Sequence, residues 1–175
     1  MAFSVTLCSF VDDFLQGGAQ AAVVEEPQGV PQASVDDKGR LKLPVEFIAY
    51  LEAFGGKKLF ITTLDKRQGR IYPMSVWQSN LNVLRNAPDK QRAQRTQFEA
   101  KVNGDAVDID ENGRVLLPAP MRKLLGITGK DQVWLDAFNG RVNLVTKTVY
   151  DERMRESDEN RATDEVALDE MEGFR

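Results

Sequence analysis

Apolar and polar positions alternate over short stretches and then change to a helical spacing. Leu41 and Leu43 flank the charged Lys42, and this period of two predicts a half-buried strand. Pro44 follows at once and suits the first turn of a helix, where its missing N–H is not needed. A helix is therefore predicted from Val45 to Ala53, and Gly55 fits its C-terminal end.

The pattern after this helix predicts a pair of strands and then a helical segment. Strands are expected at 58–63 and 71–72, with a turn at Gln68-Gly69-Arg70. Residues 74–102 are helical by their apolar spacing, with a break at Pro88. Their apolar side chains are expected to pack on the rest of the protein: Val76, Trp77, Leu81, Leu84, Ala93, Phe98 and Val102.

An internal repeat dominates the chain. The stretch Asp36-Asp37-Lys38-Gly39-Arg40-Leu41-Lys42-Leu43-Pro44 recurs 74 residues later as Asp110-Glu111-Asn112-Gly113-Arg114-Val115-Leu116-Leu117-Pro118. The same offset matches Phe47 with Met121 and continues into a following strand, so the agreement extends over several elements. The second copy predicts a helix at 119–125, a strand at 132–136 and a hairpin turn at Asn139-Gly140.

Each copy is thus a β-β-α-β-β unit of about 40 residues, which is too small to bury a core by itself. We expect the two copies to exchange hairpins and to form one pseudo-twofold body. The predicted fold class is α+β. The units span residues 29–76 and 105–150, and a helical linker spans 77–104.

The two ends of the chain differ from the middle in charge. Residues 1–28 carry a net charge of −4 and are expected to be a loosely ordered extension. Residues 151–175 carry −6 and are expected to be an acidic tail, a frayed helix followed by disorder. The middle, 29–150, carries +6, which is compatible with phosphate binding.

Composition narrows the function classes. The chain has no histidine, which removes Ser-His-Asp and Cys-His catalysis and histidine metal ligands. A single cysteine, Cys8, excludes an internal disulfide framework and a cysteine-rich zinc site. There is neither a membrane-length apolar run nor a basic region typical of a signal peptide. We therefore expect a cytoplasmic protein that is not an enzyme and needs no cofactor or metal.

The tandem Asp-x-x-Gly-Arg-x-x-x-Pro pattern, with helices between its copies, resembles the MraZ family of the SpoVT/AbrB superfamily. Residues 29–150 carry the resemblance, which includes Gly69-Arg70-Ile71-Tyr72-Pro73 and Pro118-Ala119-Pro120-Met121-Arg122. It implies tandem swapped-hairpin β-barrel units, a double-psi-like arrangement with linking helices. It also implies a ring-shaped homo-oligomer that binds double-stranded DNA at direct repeats upstream of the cell division and cell wall genes, in the nucleoid.

The resemblance carries DNA contact over to Arg40, Arg114 and Lys38. An arginine beside a glycine in a tight turn can grip a phosphate or a guanine edge, whereas a lysine suits phosphate. Alternatively, each arginine holds a neighbouring strand or the motif aspartate. The turns themselves are expected to depend on Asp36, Gly39, Asp110 and Gly113.

Other residues receive structural interpretations. Trp77 and Trp134 are expected in the core, with base stacking as the alternative. Arg92, Arg95 and Arg122 are expected on solvated helix faces, with an extension of the basic face as the alternative. Two alternative functions stay open: an antitoxin-like module that binds a protein partner through its acidic ends, and a ring with a purely structural role.

Overall fold

Strands and helices alternate along the computed structural model, which describes residues 25–173. The expectations for residues 1–24 lie outside the described residues. The elements in chain order are β1 (Gln32–Ser34), β2 (Arg40–Lys42), α1 (Val45–Ala53), β3 (Lys58–Thr62), β4 (Gln68–Pro73), α2 (Met74–Asn86), α3 (Lys90–Asn103), β5 (Asp105–Asp108), β6 (Arg114–Leu116), α4 (Ala119–Leu125), β7 (Gln132–Phe138), β8 (Arg141–Thr146) and α5 (Lys147–Asp169).

The two copies of the repeat share one sheet. Its six strands are in the order β1-β7-β8-β4-β3-β5, and every pair is antiparallel. The first strand of each copy pairs with the other copy, because β1 lies beside β7 and β5 lies beside β3. The remaining strands, β2 and β6, form a separate antiparallel pair. The α+β prediction is confirmed, and the described strands form open sheets without a closed barrel.

The main core lies between the sheets and the short helices. On α1, the buried residues Phe47, Tyr50 and Leu51 follow the i, i+3, i+4 spacing of one helix face. Leu41 and Leu43 are buried from the adjacent segment, while Lys42 between them is exposed, as the alternation predicts. The second copy contributes the equivalent buried residues Val115, Leu117 and Met121.

A second apolar cluster joins the middle helices to the outer face of the sheet. The helical prediction for residues 74–102 is confirmed by α2 and α3, which are separated around Pro88. Phe60 and Trp77 stack with ring centroids 4.3 Å apart, and Tyr72 packs beside them. Trp77 therefore lies in a core, as expected.

One predicted turn is wrong. Gln68-Gly69-Arg70 lies inside β4, and the chain reverses before it, at residues 64–67. Asp65 Oδ1 accepts from the backbone N–H groups of Arg67 at 2.9 Å and Gln68 at 3.0 Å, which stabilises that reversal. The Asn139-Gly140 turn is confirmed, with φ of 55° and 77°.

Three packing expectations are wrong. Phe98 and Val102 are 71% and 53% exposed, because α3 turns Ala93, Ala100 and Asn103 inward instead. Trp134 lies on the face of β7 opposite the core, where its ring stacks on that of Tyr150 at 4.8 Å. The period of two places Val133 and Leu135 in the core and therefore turns Trp134 away from it.

The acidic tail also differs from the expectation. Residues up to Asp169 continue the 23-residue helix α5 instead of fraying near Asp151. Its first turns contact β7 and β8, and none of its side chains is buried. Ion pairs one turn apart, such as Lys147–Asp151 at 2.7 Å, favour the helical conformation.

Candidate nucleic-acid interface

The first Asp-x-x-Gly-Arg motif forms a tight turn between β1 and β2. Asp36 Oδ1 accepts from the backbone N–H groups of Lys38 at 3.0 Å and Arg40 at 2.8 Å. The Asp36 carbonyl accepts from the Gly39 N–H at 2.9 Å, and Gly39 has φ of +79°. Glycine adopts that conformation without a Cβ clash, so the motif closes the turn through its own backbone.

The second motif repeats this geometry. Asp110 Oδ1 accepts from the N–H groups of Asn112 at 2.8 Å and Arg114 at 2.9 Å. Gly113 donates to the Asp110 carbonyl at 2.9 Å and has φ of +69°. These bonds favour the ionised carboxylate: backbone donation from Arg40 lowers the pKa of Asp36, and donation from Arg114 lowers the pKa of Asp110.

Two reciprocal hydrogen bonds bring the turns together although they are 74 residues apart. Leu43 N–H donates to the Gly113 carbonyl, and Leu117 N–H donates to the Gly39 carbonyl, both at 3.0 Å. Between these bonds, β2 and β6 run antiparallel, with Lys42 opposite Arg114. We call the two turns, β2 and β6 together the motif ribbon (residues 36–43 and 110–117).

The sequence-predicted arginines have different surroundings. Arg40 Nε and Nη2 both lie 2.7 Å from Asp36 Oδ2, and this ion pair is partly exposed. The bond to Asp36 raises the pKa of Arg40. Arg114 is half-buried and makes no side-chain ion pair within residues 25–173. The alternative interpretation, an arginine held by its motif aspartate, thus describes the geometry of Arg40 but not that of Arg114.

Lys38 is exposed at the tip of the first turn. Sequence reasoning missed Lys42, whose Nζ donates to the Asn112 carbonyl of the second turn. Its position between Leu41 and Leu43 predicts an exposed side chain. The sequence does not show that the turn of the other copy lies within reach of that side chain.

Arg122 was expected on a solvated helix face, and that is wrong. Its side chain is half-buried, and its Nε donates to the Leu117 carbonyl at 3.2 Å. The guanidinium covers Gly39 so closely that a Cβ at this position would lie 2.6 Å from Arg122 Nε. Helix α4 of the second copy therefore supplies a cation to the turn of the first copy. Arg92 and Arg95 are exposed, as expected.

The equivalent position in the first copy is apolar. Ile48, 74 residues before Arg122, covers Gly113 in the same way, and a Cβ there would lie 2.7 Å from Ile48 Cδ1. Each turn is thus covered by a helix residue of the opposite copy, but only the first turn receives a guanidinium.

Residues 25–173 contain no group of three or more cysteine, aspartate or glutamate side chains arranged to hold a metal ion. None of the helices described is both long enough and apolar enough to cross a membrane.

Comparison with known protein sequences shows the family to which the chain belongs. No protein-family model matches the chain. A protein of Anaeromyxobacter dehalogenans strain 2CP-C, named transcriptional regulator MraZ, is 32% identical over 123 residues, which is 69% of this chain and 84% of the relative. The chain belongs to the MraZ family.

Other MraZ proteins agree with this assignment. The transcriptional regulator MraZ of Acidobacterium capsulatum is 38% identical over 97 residues, covering 54% of this chain and 66% of the relative. That of Xanthomonas campestris pv. campestris is 31% identical over 106 residues, covering 59% and 72%. These MraZ relatives are named as transcriptional regulators and not as enzymes, which confirms the non-enzymatic prediction.

Proposed function

We propose that this MraZ-family chain is a transcriptional regulator that binds double-stranded DNA through the motif ribbon. The observation that carries the proposal is that one two-stranded surface and its turns bring together four cationic side chains from both copies: Lys38, Arg40, Lys42 and Arg114. A two-stranded ribbon fits the major groove, where arginine can bond guanine and lysine can bond phosphate.

The geometry suits such a role because the turns are held by their own backbones. Asp36 and Asp110 are satisfied by backbone N–H groups, so the arginine guanidinium groups are not needed to close the turns. Arg40 is oriented by its pair with Asp36, and such a pair at a partly exposed position is weak enough to exchange for a phosphate. The strand exchange between copies is the expected basis of a swapped-hairpin body in this family.

The proposal includes assembly into an oligomer that repeats the ribbon along direct repeats in the promoter of the cell division and cell wall genes. Repetition at fixed spacing raises the avidity of a small contact surface. Phe98 and Val102 support self-association, because they lie one turn apart on the same face of α3 and are mostly exposed. DNA binding would place the protein at the nucleoid. Light scattering of the full chain at micromolar concentration tests the assembly, and a monomer would contradict it.

The experiment on function measures fluorescence anisotropy of a labelled promoter duplex from upstream of the gene, at two salt concentrations. Wild type is expected to bind selectively and to lose affinity with salt. The Arg40→Ala/Arg114→Ala variant is expected to lose selective binding while keeping its fold. Arg85→Ala/Arg92→Ala, at exposed positions of α2 and α3, is the charge-matched control. Selective binding by the ribbon variant equal to wild type would refute the site.

A second candidate function is binding of a protein partner through the acidic helix α5. Residues 151–173 carry ten acidic and three basic side chains, and no side chain of α5 is buried. Such a surface suits a basic protein. This candidate would be favoured over DNA binding by two results together. The folded wild-type protein would show no selective binding to the promoter duplex, and it would form a salt-sensitive complex with one basic protein through α5.

A further inference from the structure

We propose that Arg122 is a DNA phosphate-binding residue of the first motif turn and that Ile48 leaves the second turn without its counterpart. The two turns of one chain therefore bind DNA unequally. This inference rests on the proposed DNA binding and adds a residue outside the Asp-x-x-Gly-Arg motif.

The two turns differ in their own charges and in the side chain that each receives from the other copy. The first turn, residues 36–40, contains two acidic and two basic side chains and is neutral. Arg122 over Gly39 makes its surroundings net positive by one charge. The second turn, residues 110–114, contains two acidic side chains and one basic side chain. Lys42, bonded to the Asn112 carbonyl, only brings its surroundings to neutrality.

Arg122 is held in a position that favours an anion. The bond from its Nε to the Leu117 carbonyl fixes the plane of the guanidinium against the turn. Within residues 25–173, no carboxylate forms an ion pair with it. A fixed guanidinium without an ion-pair partner, at the edge of the motif ribbon, can bind a phosphate with two donors.

Ile48 is uncharged and apolar, and it occupies the position over the second turn that Arg122 occupies over the first. Its Cδ1 covers Gly113 and can donate no hydrogen bond to a phosphate. Arg122 and Ile48 occupy matching positions, each over a motif glycine. The inference can therefore be tested both by removing the charge at residue 122 and by adding a charge at residue 48.

The experiment measures the affinity of full-length variants for the labelled promoter duplex across a salt series. Arg122→Met keeps an unbranched side chain over Gly39 but removes the charge. It is expected to reduce the slope of log affinity against log salt by about one, the effect of one lost phosphate contact. Arg122→Lys is expected to retain most of the slope. Ile48→Arg is expected to steepen the slope by about one.

Arg92→Met and the conservative Ile48→Met are matched controls and should leave the slope unchanged. A slope for Arg122→Met equal to wild type would overturn the inference, as would an unchanged slope for a folded Ile48→Arg variant. Circular dichroism checks the fold, and Ile48→Arg gives an independent result if Arg122→Met fails to fold. If wild type itself binds no promoter DNA, the proposed function fails, whereas normal wild-type binding with unaltered variants refutes only the role of Arg122.

Discussion

The Leu43 N–H lies 3.0 Å from the Gly113 carbonyl oxygen and donates a hydrogen bond to it, across the boundary between the two copies of the repeat. Leu43 follows the strand of the first motif, and Gly113 belongs to the turn of the second. The bond, with its counterpart from Leu117 to Gly39, means that neither motif turn has its complete surroundings within its own copy. Stability and the candidate DNA surface therefore depend on the same contacts.

Truncation inside the motif ribbon should destabilise the whole protein. Leu41 is fully buried opposite Val115 in the core, so Leu41→Ala should lower the free energy of unfolding by about 2–5 kcal/mol. Leu116→Ala, on the same two-stranded sheet but 52% exposed, should change it by about 0.5 kcal/mol or less. Urea unfolding monitored by circular dichroism compares them, and equal losses would contradict the burial assigned to Leu41.

Gly39 should be more sensitive to substitution than its backbone conformation alone requires. Gly39→Ala places a Cβ against Arg122, in addition to the left-handed strain of about 1–2 kcal/mol. Gly126 has a similar φ of +70° and open space around its Cα, so Gly126→Ala measures the strain by itself. Thermal unfolding should show the larger loss for Gly39→Ala. A loss no greater than that of Gly126→Ala would argue against the packing of Arg122 on the turn.

The motif turns should weaken in acid. Because backbone donors lower the pKa of Asp36 and Asp110 in the folded protein, their ionised forms stabilise it above the ordinary aspartate pKa of 3.8. That stabilisation is lost as the pH falls through the lowered pKa values. Asp36→Asn/Asp110→Asn should be less stable than wild type near neutral pH, and the difference should shrink below pH 3.8.

Urea midpoints at a series of pH values measure this convergence. Asp37→Asn, at an exposed neighbouring position, is the control for general charge effects. A stability difference that is independent of pH would show that the carboxylate charge does not stabilise the turns.

The Tyr50 hydroxyl should contribute to stability by connecting three segments. It accepts from Gly140 N–H at 2.9 Å and donates to Glu26 Oε1 at 3.0 Å, and burial raises its pKa. Tyr50→Phe should cost about 0.5–1.5 kcal/mol of unfolding free energy. Tyr150→Phe removes a hydroxyl that makes no hydrogen bond in the described part of the chain and should be nearly neutral in urea unfolding. Equal effects would contradict the role of the Tyr50 hydroxyl.

Local patterns were sufficient to predict most elements. The Leu41/Leu43 alternation and Pro44 located β2 and the start of α1, and the repeat offset then located α4. The turn before β4 was misplaced because Gly69 looked like a turn residue, whereas Asp65 provides the hydrogen bonds that reverse the chain. Gly69 and Asp65 thus predicted different positions for the turn, and the turn forms where the Asp65 carboxylate accepts hydrogen bonds from the backbone.

Contacts between the copies were harder to predict. Arg122 looks like an ordinary exposed helix residue unless the position of α4 over the opposite turn is known. Lys42 looks like the polar side of a strand until β6 is placed beside it. The offset that pairs Arg122 with Ile48 was visible, but only the strand exchange shows that each of them covers a glycine of the other copy.

The strand exchange also determines how the chain can be divided. A cut between Ala87 and Pro88 would separate β1 to β4 from β5 to β8 and leave β1 and β3 of the first piece without their partners β7 and β5. Neither piece is expected to fold by itself, whereas two separately produced pieces should associate and fold together. The single chain thus has the architecture of a two-subunit assembly in which a covalent link joins the two subunits. Helices α2 and α3 form that link, so the two halves are always present in a one-to-one ratio.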